Sequence, residues 1–402
     1  MTMTTDEKPA IEGGRPVRKD FLPIGRPLIG DEERAEVMDT LNSDWISKGP
    51  KTKRFEADFR DYVGSKHAVA VSSCTAGLHI ALAAAGVKEG DEVITTPLTF
   101  VSTGNVILYL GATPVLADIK ASDFNMDAGM LESRITGRTK AIVPVHFAGL
   151  PCNMDEIMRI AGKYGISVIE DAAHAIGAEY RGKKIGSIGD ISAFSFYATK
   201  NITTGDGGMV TTNNDELARK LEILSFFGIS SDAWQRYSPK GKARYEMVEL
   251  GYKYNMTDMQ ASLGIHQLKK LEGFVEARGR YSALYDSYLQ EMSEIILQER
   301  RDDCRHGRHI YPIVLKTERL NIDRDGFIEA MKAENIGCGI HFVALHKQYY
   351  YKERFDFRDE DYPNASYISD RIVSLPLYPR MTEDDVHDVI KSVRKVIQYY
   401  RG

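Results

Sequence analysis

Lys200 is the residue around which this sequence offers chemistry. It follows the apolar run FSFYAT and precedes the loop NITTGDGG. A lysine at a strand end ordinarily reaches solvent. A lysine held in a dry pocket loses protons more readily, and its amine can then form a Schiff base with a carbonyl. Gly205, Gly207 and Gly208 follow at once, and glycines permit close backbone approach and positive φ. Asp171 ends the run GISVIED. A carboxylate there is either a helix cap or the partner of a protonated heterocyclic nitrogen. His174 lies three residues on and shares a face with Asp171 if that segment turns helical.

Other polar clusters follow apolar runs in the same manner. In SSCTAG, Ser72 to Gly77, the side chains of Ser73 and Thr75 and the first free N–H groups of a helix suit a phosphate. A plain helix cap explains the same residues. Ser195 adds a hydroxyl from another strand end. Phe100, in TPLTF, offers a flat face for a ring, or a core side chain. A lysine amine, an acid for a pyridine nitrogen and a phosphate cradle together point to pyridoxal 5'-phosphate, which serves as an electron sink.

Positioning these groups falls to alternating short strands and helices. HAVAVSS is followed by the helix TAGLHIALAAAG, and DEVITTP by a helix beginning near Phe100. TPVLADI, KAIVPVHFAG, KYGISVIEDAA, ISAFSFYATK and GGMVTT follow. The pattern predicts an α/β domain with a mostly parallel sheet, whose ligands gather at the carboxyl ends of the strands. We expect a flexible N-terminal arm over 1–25, a large cofactor-binding domain over 26–290 and a smaller C-terminal α+β domain over 291–402. Helices are expected over Asp31–Leu41, Lys53–Val63 and Met259–Leu289. The C-terminal part reads as a strand (HIYPIVL), a helix (RDGFIEAMKAEN), a strand (CGIHF), a loop with many tyrosines, and a final helix.

Composition narrows the class. A formal charge of -5 over 402 residues gives no reason to expect nucleic acid as a partner. The four cysteines form no CxxC pair, so neither a zinc site nor a disulfide framework is expected, and a reducing cytoplasmic setting fits. No metal site is expected. The start MTMTTDEKPAIEGG carries no apolar signal region, and no run is long enough to span a membrane. No GxGxxG follows the early strands, which argues against a nucleotide-dependent dehydrogenase.

In order along the chain, WISKGP, SSCTAGLHIAL, DEVITTPLTFVSTGN, IEDAAHAIGAEY, SFYATKNITTGDGG, GYKYNMTDMQASLG, GIHFVALHKQYYYKERF and SLPLYPRMTEDD resemble the DegT/DnrJ/EryC1/StrS sugar aminotransferases. The resemblance implies a fold-type I pyridoxal phosphate aminotransferase with a central mixed, mostly parallel sheet. It implies that Lys200 carries the cofactor as a Schiff base, Asp171 faces the pyridine nitrogen and His174 the ring oxygen. Phe100 stacks on the ring, and Ser73, Cys74, Thr75 and Ser195 surround the phosphate. It further implies a homodimer with shared active sites, in which Lys253 or Asn255 of GYKYN reaches the partner's phosphate. Two departures stand out. Tyr197 takes a place where the family often has His, and GYKYN replaces a GxNxR pattern. The family branch that performs dehydration replaces the lysine by His, so Lys200 implies transamination.

The resembling enzymes imply L-glutamate as donor and a nucleotide-linked keto sugar as acceptor. The segments DAWQRYS and HFVALHKQYYYKERF are most similar to those of enzymes aminating a UDP-4-keto-pentose in lipid A modification. A UDP- or dTDP-4-keto-6-deoxyhexose, or a 3-keto sugar, is the alternative. Tyr197, Arg236, His341 and His346, with Tyr349 to Tyr351, are the candidate substrate residues. Other classes considered are an aminotransferase for simple amino acids and a non-enzymatic protein on the same fold.

Overall fold

The computed structural model describes residues 8–229 and 246–402. Its centre is a seven-stranded sheet of β1 (His67–Val71), β2 (Glu92–Thr95), β3 (Thr113–Leu116), β4 (Thr139–Val143), β5 (Ser167–Asp171), β6 (Ile191–Ser195) and β7 (Gly208–Thr212). The spatial order is β1-β7-β6-β5-β4-β2-β3. β7 runs antiparallel to both neighbours, and every other neighbouring pair is parallel. Apolar clusters lie on both faces, which is why the strands read as unbroken apolar runs and not as alternation. Register sets the site: Asp171 lies opposite Ala193, and Ser195 opposite Gly208.

Helices α1 (Asp31–Asn42), α2 (Pro50–Val63), α3 (Cys74–Ala84) and α4 (Val101–Tyr109) begin the covering layers. α3 is apolar nearly all round and is buried for most of its length, as a helix laid on a sheet under further helices must be. Its first turn rests directly on β7. A Cβ at Gly208 would come within 2.8 Å of Cys74 N and of Phe194 O, so only glycine fits.

One long helix, Asp258–Leu289, belongs to both parts of the molecule. Ala261, Ile265, Leu268 and Leu271 pack into the core beneath the large sheet, while Tyr281, Tyr285 and Leu289 pack into the C-terminal core. A capping box of Thr257 and Gln260 starts it. The C-terminal part holds a three-stranded antiparallel sheet of Ile295–Leu297, Tyr311–Leu315 and Ile372–Leu375, closed by the amphipathic helix Glu383–Tyr399. A mixed cluster including Leu98, Phe147, Ile310, Val314, Leu345 and Tyr351 joins it to the large sheet's neighbourhood.

Four local expectations differ from the structure. Residues 8–25 of the expected arm do not trail free. The Ala10 and Val17 amides each donate to the buried Glu334 carboxylate at 2.7 Å, and Arg18 pairs with Asp385 and Asp388. CGIHF is not a strand. Gly339 pairs with Ser374 alone, and the chain then turns away to carry His341 and Phe342 towards the sheet ends. The tyrosine-rich loop contains a helix, Tyr349–Arg354, because Tyr351 is buried against α4. The residues after Asp171 form turns, with Ala175 N bonded to Ala172 O, and not a helix.

Candidate active site

The carboxyl ends of β5 and β6, the start of α3 and the N-terminus of α4 open on one cavity of about 560 Å³. Lys200, Asp171 and His174 all line it, as do Ser73, Cys74, Thr75, Phe100, Ser195, Tyr197 and His341. Ten of the residues singled out from sequence are therefore brought together from five separate stretches of chain.

Lys200 sits in a loop that is tied at several points. Phe196 N donates to Gly207 O at 2.9 Å and Thr204 N to Phe196 O at 3.0 Å, which folds the loop back on itself. Gly205, at φ +81°, makes the return possible. Asn201 anchors the far side through Nδ2 to Gly307 O at 2.7 Å. Burial pushes the Lys200 amine down to about 8, against the opposing pull of Cys74 and Asp171. That shift increases the neutral fraction at pH 7 by roughly two orders of magnitude.

Asp171 is 4% exposed. Burial raises its carboxyl above the ordinary range, opposed by the hydrogen bond from Thr103 and the Ala173 amide. Thr103 Oγ1 donates to Oδ2 at 2.7 Å, and Ala173 N to Oδ1 at 3.2 Å. His174 is neutral, since burial, Lys200 and His341 hold it well below the usual imidazole value. Its Nδ1 is buried with no hydrogen-bond partner among the described residues. A buried polar atom without a partner is costly, so it marks a place where a ligand atom belongs.

The start of α3 forms another wall. Ser73 caps it, accepting from Ala76 N at 3.1 Å, which leaves the hydroxyl proton and the Cys74 and Thr75 amides for an anion. The Cys74 thiol is pushed well up by burial and is not a nucleophile. Phe100 is 57% exposed at the mouth, against Phe342 at 5.9 Å between ring centres. An exposed ring beside a cavity is free to cover a flat ligand. The hydroxyls, carboxylate, orphaned imidazole nitrogen and amine thus match, group for group, what pyridoxal phosphate presents.

Six described residues read from the sequence do not line the cavity, three of them being Tyr349, Tyr350 and Tyr351 on the helix Tyr349–Arg354. His346 is fully buried under the C-terminal part, with Nε2 on Ser366 Oγ at 2.8 Å and its ring 5.0 Å from Tyr362. The 3-10 turn Leu345–Lys347 swings it away from His341, so it serves packing. Lys253 and Asn255 bond each other in a segment paired to the end of β1. Lys253 also lies over the Phe226 ring. Arg236 is outside the described residues. His341 stays, bonded through Nδ1 to Ser374 Oγ at 2.8 Å and lowered by burial to about 4.

The cavity also holds residues that sequence reading passed over. His309 lies 4.4 Å from His174 between ring centres, and Phe342 stacks on His174 at 5.7 Å. Thr99 lines the wall and bonds Thr103 at 2.8 Å. The spacing of Thr99 and Thr103, four apart at a helix start, was the one available signal.

Comparison with known proteins agrees with this geometry. Residues 27–394 match the model of the DegT/DnrJ/EryC1/StrS aminotransferase family. The spore coat polysaccharide biosynthesis protein SpsC of Bacillus subtilis is 50% identical over 382 residues, which is 95% of this chain and 98% of that one. Spr1654 of Streptococcus pneumoniae, a candidate sugar aminotransferase, matches in its PLP form with TM-score 0.88 and 32% identity, over 94% of this chain and 99% of that one. PseC of Helicobacter pylori, an aminotransferase involved in the biosynthesis of pseudoaminic acid, matches with TM-score 0.88 and 29% identity, over 95% and 100%. The chain is a pyridoxal phosphate-dependent aminotransferase, and it belongs to the DegT/DnrJ/EryC1/StrS family.

Proposed function

We propose that this enzyme transfers the amino group of L-glutamate to a keto carbon of a nucleotide-linked sugar. The observation that carries the reading is the convergence of Lys200, Asp171 and the α3 N-terminus on one cavity, in a chain similar to enzymes of sugar pathways. Pyridoxal phosphate, when bound, supplies the electron sink for a carbanion. Ser73, Thr75, Ser195 and the first amides of α3 bind its phosphate. Asp171 holds a proton on the ring nitrogen, His174 meets the ring oxygen and Phe100 covers one face. Lys200 Nζ removes the proton from the α-carbon of the amino donor, and burial keeps enough of the amine neutral to do so.

Tyr197 and His341 line the mouth and address the sugar. With Nδ1 on Ser374, the neutral His341 ring offers Nε2 to the sugar, as donor or acceptor according to its tautomer. A homodimer completes the site, with Lys253 or Asn255 directed at the partner's phosphate. A hybrid of Lys200→Ala chains with chains altered at both Lys253 and Asn255 should recover one active site per dimer. No recovery after verified subunit exchange removes the shared site. Among the described residues no helix is long and apolar enough to cross a membrane. The free cysteines suit the reducing cytoplasm.

For the acceptor, a 4-keto-6-deoxyhexose now ranks ahead of the pentose that the local resemblance put first. SpsC and PseC cover essentially the whole chain, and their named pathways support the hexose alternative over lipid A modification. The test is single-turnover reaction of the pyridoxamine form with UDP- and dTDP-linked 4-keto-6-deoxyhexoses, UDP-4-keto-pentose and simple keto acids. We expect a hexose to lead the pentose by at least tenfold in kcat/KM, about 1.4 kcal/mol in transition-state binding. A pentose leading by that margin restores the first ranking, and a simple keto acid leading both removes the sugar reading.

A further inference from the structure

Asp171 receives its hydrogen bond from a residue on a different element, and that residue is itself held from two sides. Thr103 is fully buried in the first turn of α4 and donates from Oγ1 to Asp171 Oδ2 at 2.7 Å. Its oxygen is 2.8 Å from Thr99 Oγ1, one turn earlier. With the Thr103 proton committed to the carboxylate, the proton between the threonines must come from Thr99. The three groups form a directed chain, Thr99 to Thr103 to Asp171.

α4 itself is braced from the C-terminal part. The Tyr351 hydroxyl bonds Asn105 Oδ1 at 3.0 Å, and a Cβ at Gly104 would fall 2.3 Å from that hydroxyl. Leu345 N donates to Pro97 O at 2.8 Å in the segment that leads into the helix. The helix therefore cannot slide along its axis without breaking the contacts of Gly104 and Asn105 with Tyr351, and the one just before its start at Pro97. Tertiary packing, and not the short helix alone, fixes where the Thr103 hydroxyl points.

We infer that Thr103, aligned by Thr99 and by the Tyr351 brace, is a positioning residue that keeps the Asp171 carboxylate ionised and aimed at the cofactor's ring nitrogen. Inside a dry cavity a carboxylate needs such a donor to stay charged before a cation arrives. The other groups facing Asp171 are Lys200 from the loop after β6 and the His146 imidazole, both of which favour the ionised carboxylate, the un-ionised Cys74 thiol from α3 and the neutral His174; the His146 amide also bonds the Asp171 backbone. None of these side chains is hydrogen-bonded to the carboxylate, so Thr103 is its only side-chain donor among the described residues.

The inference rests on the assignment of Asp171 to the ring nitrogen, and the test separates the two. Holoenzyme carrying Thr103→Val, Thr103→Ser, Thr99→Val or Asp171→Asn is diluted across a pH series, and cofactor loss is followed by absorbance. Thr103→Val keeps the shape and removes the donor. It should lose cofactor about tenfold more readily at neutral pH, the worth of one hydrogen bond to a charged group. The acid limb of cofactor retention should also move to higher pH, because an unsupported buried carboxyl takes up a proton sooner. Thr103→Ser should restore both, and Thr99→Val should shift the limb in the same direction by less. A Thr103→Val protein with an unmoved limb overturns the inference, as does a Thr103→Ser protein no better than the valine variant. If Thr103→Val does not fold, the Thr99→Val limb decides in its place. If Asp171→Asn itself retains cofactor and shows no loss of turnover, the ring-nitrogen assignment fails instead.

Discussion

Glu170 and Asp171 are neighbours on β5, both nearly inaccessible to solvent, and they face opposite sides of the sheet. Their surroundings have opposite characters. On one face, Glu170 accepts from Gly189 N and Ser192 Oγ at 2.7 Å each, and from His146 Nε2 at 2.9 Å. The His146 Nδ1 accepts from Cys152 N, so the proton of that ring lies on Nε2 and points at Glu170. Burial works against ionisation there, yet His146, Ser192 and Gly189 outweigh it and hold Glu170 below the ordinary carboxylate range. On the other face Asp171 has two donors, stays above its ordinary range, and looks into a cavity beside an imidazole with an unused nitrogen. One acid–imidazole set is saturated by the protein and acts as a bolt between strands. The other is left short of partners, which is the mark of a site awaiting a ligand.

The largest expected effect lies on the cavity side. Lys200→Ala should leave a folded protein and reduce turnover with glutamate by on the order of 10⁴-fold or more, since base and covalent anchor vanish together. Borohydride treatment of the wild-type enzyme followed by peptide mass analysis should place the cofactor on Lys200 alone. A label on any other lysine breaks the assignment of this face.

Next comes the direct exchange between the faces. Asp171→Asn should lower the amino-transfer rate by on the order of 10²–10³-fold, the usual cost of removing a preorganised charge at a reacting centre. Glu170→Gln should leave single-turnover chemistry within a few fold of wild type. It should instead cost about 2–3 kcal/mol of stability, because three donors lose a charged acceptor. Denaturant midpoints and single-turnover rates on the two variants decide the matter. If Glu170→Gln is the catalytic lesion, the contrast between bolt and site is wrong.

Sequence made the cavity side legible for a physical reason. Asp171, Ser195, Lys200 and Ser73 sit where apolar strands end, and in an open α/β sheet those ends meet. The strands themselves were legible because burial on both faces leaves unbroken apolar runs. Thr103 and His309 were not, since their roles depend on how α4 and the Gly307–His309 turn are docked; the Thr99–Thr103 spacing pairs two hydroxyls but does not say that they face Asp171. His341 and His346 looked equivalent in HFVALHK. Only the 3-10 turn Leu345–Lys347, which carries His346, parts them, leaving one at the cavity and the other beneath Tyr362. The role of Glu170 was hidden as well, since nothing in GISVIED shows that His146, Ser192 and Gly189 converge on it.

The smallest effect is the most discriminating, because it asks what Asp171 costs the fold. Its folded-state carboxyl is raised, so at neutral pH the ionised group opposes folding of the cofactor-free protein. In Asp171→Asn the amide oxygen can still accept from Thr103 or the Ala173 amide, and no charge is buried. That cofactor-free variant should be more stable than wild type at pH 7, by about 0.5–1 kcal/mol, the common gain when a functional group is neutralised. Acidification should close the gap. As pH falls through the raised folded value, the wild-type carboxyl takes up its proton and the penalty starts to lift. Relief is complete below the unfolded value. Glu170 obeys the reverse sign. Its lowered folded value gives stability that is present above the unfolded value and is lost as pH falls through the folded one. The Glu170→Gln deficit should therefore also shrink in acid, but from the opposite side of zero. Thermal unfolding of the three cofactor-free proteins across a pH series reads both curves. An Asp171→Asn protein less stable than wild type at pH 7 would make Asp171 a second bolt and remove the strained, ligand-seeking carboxylate from the account.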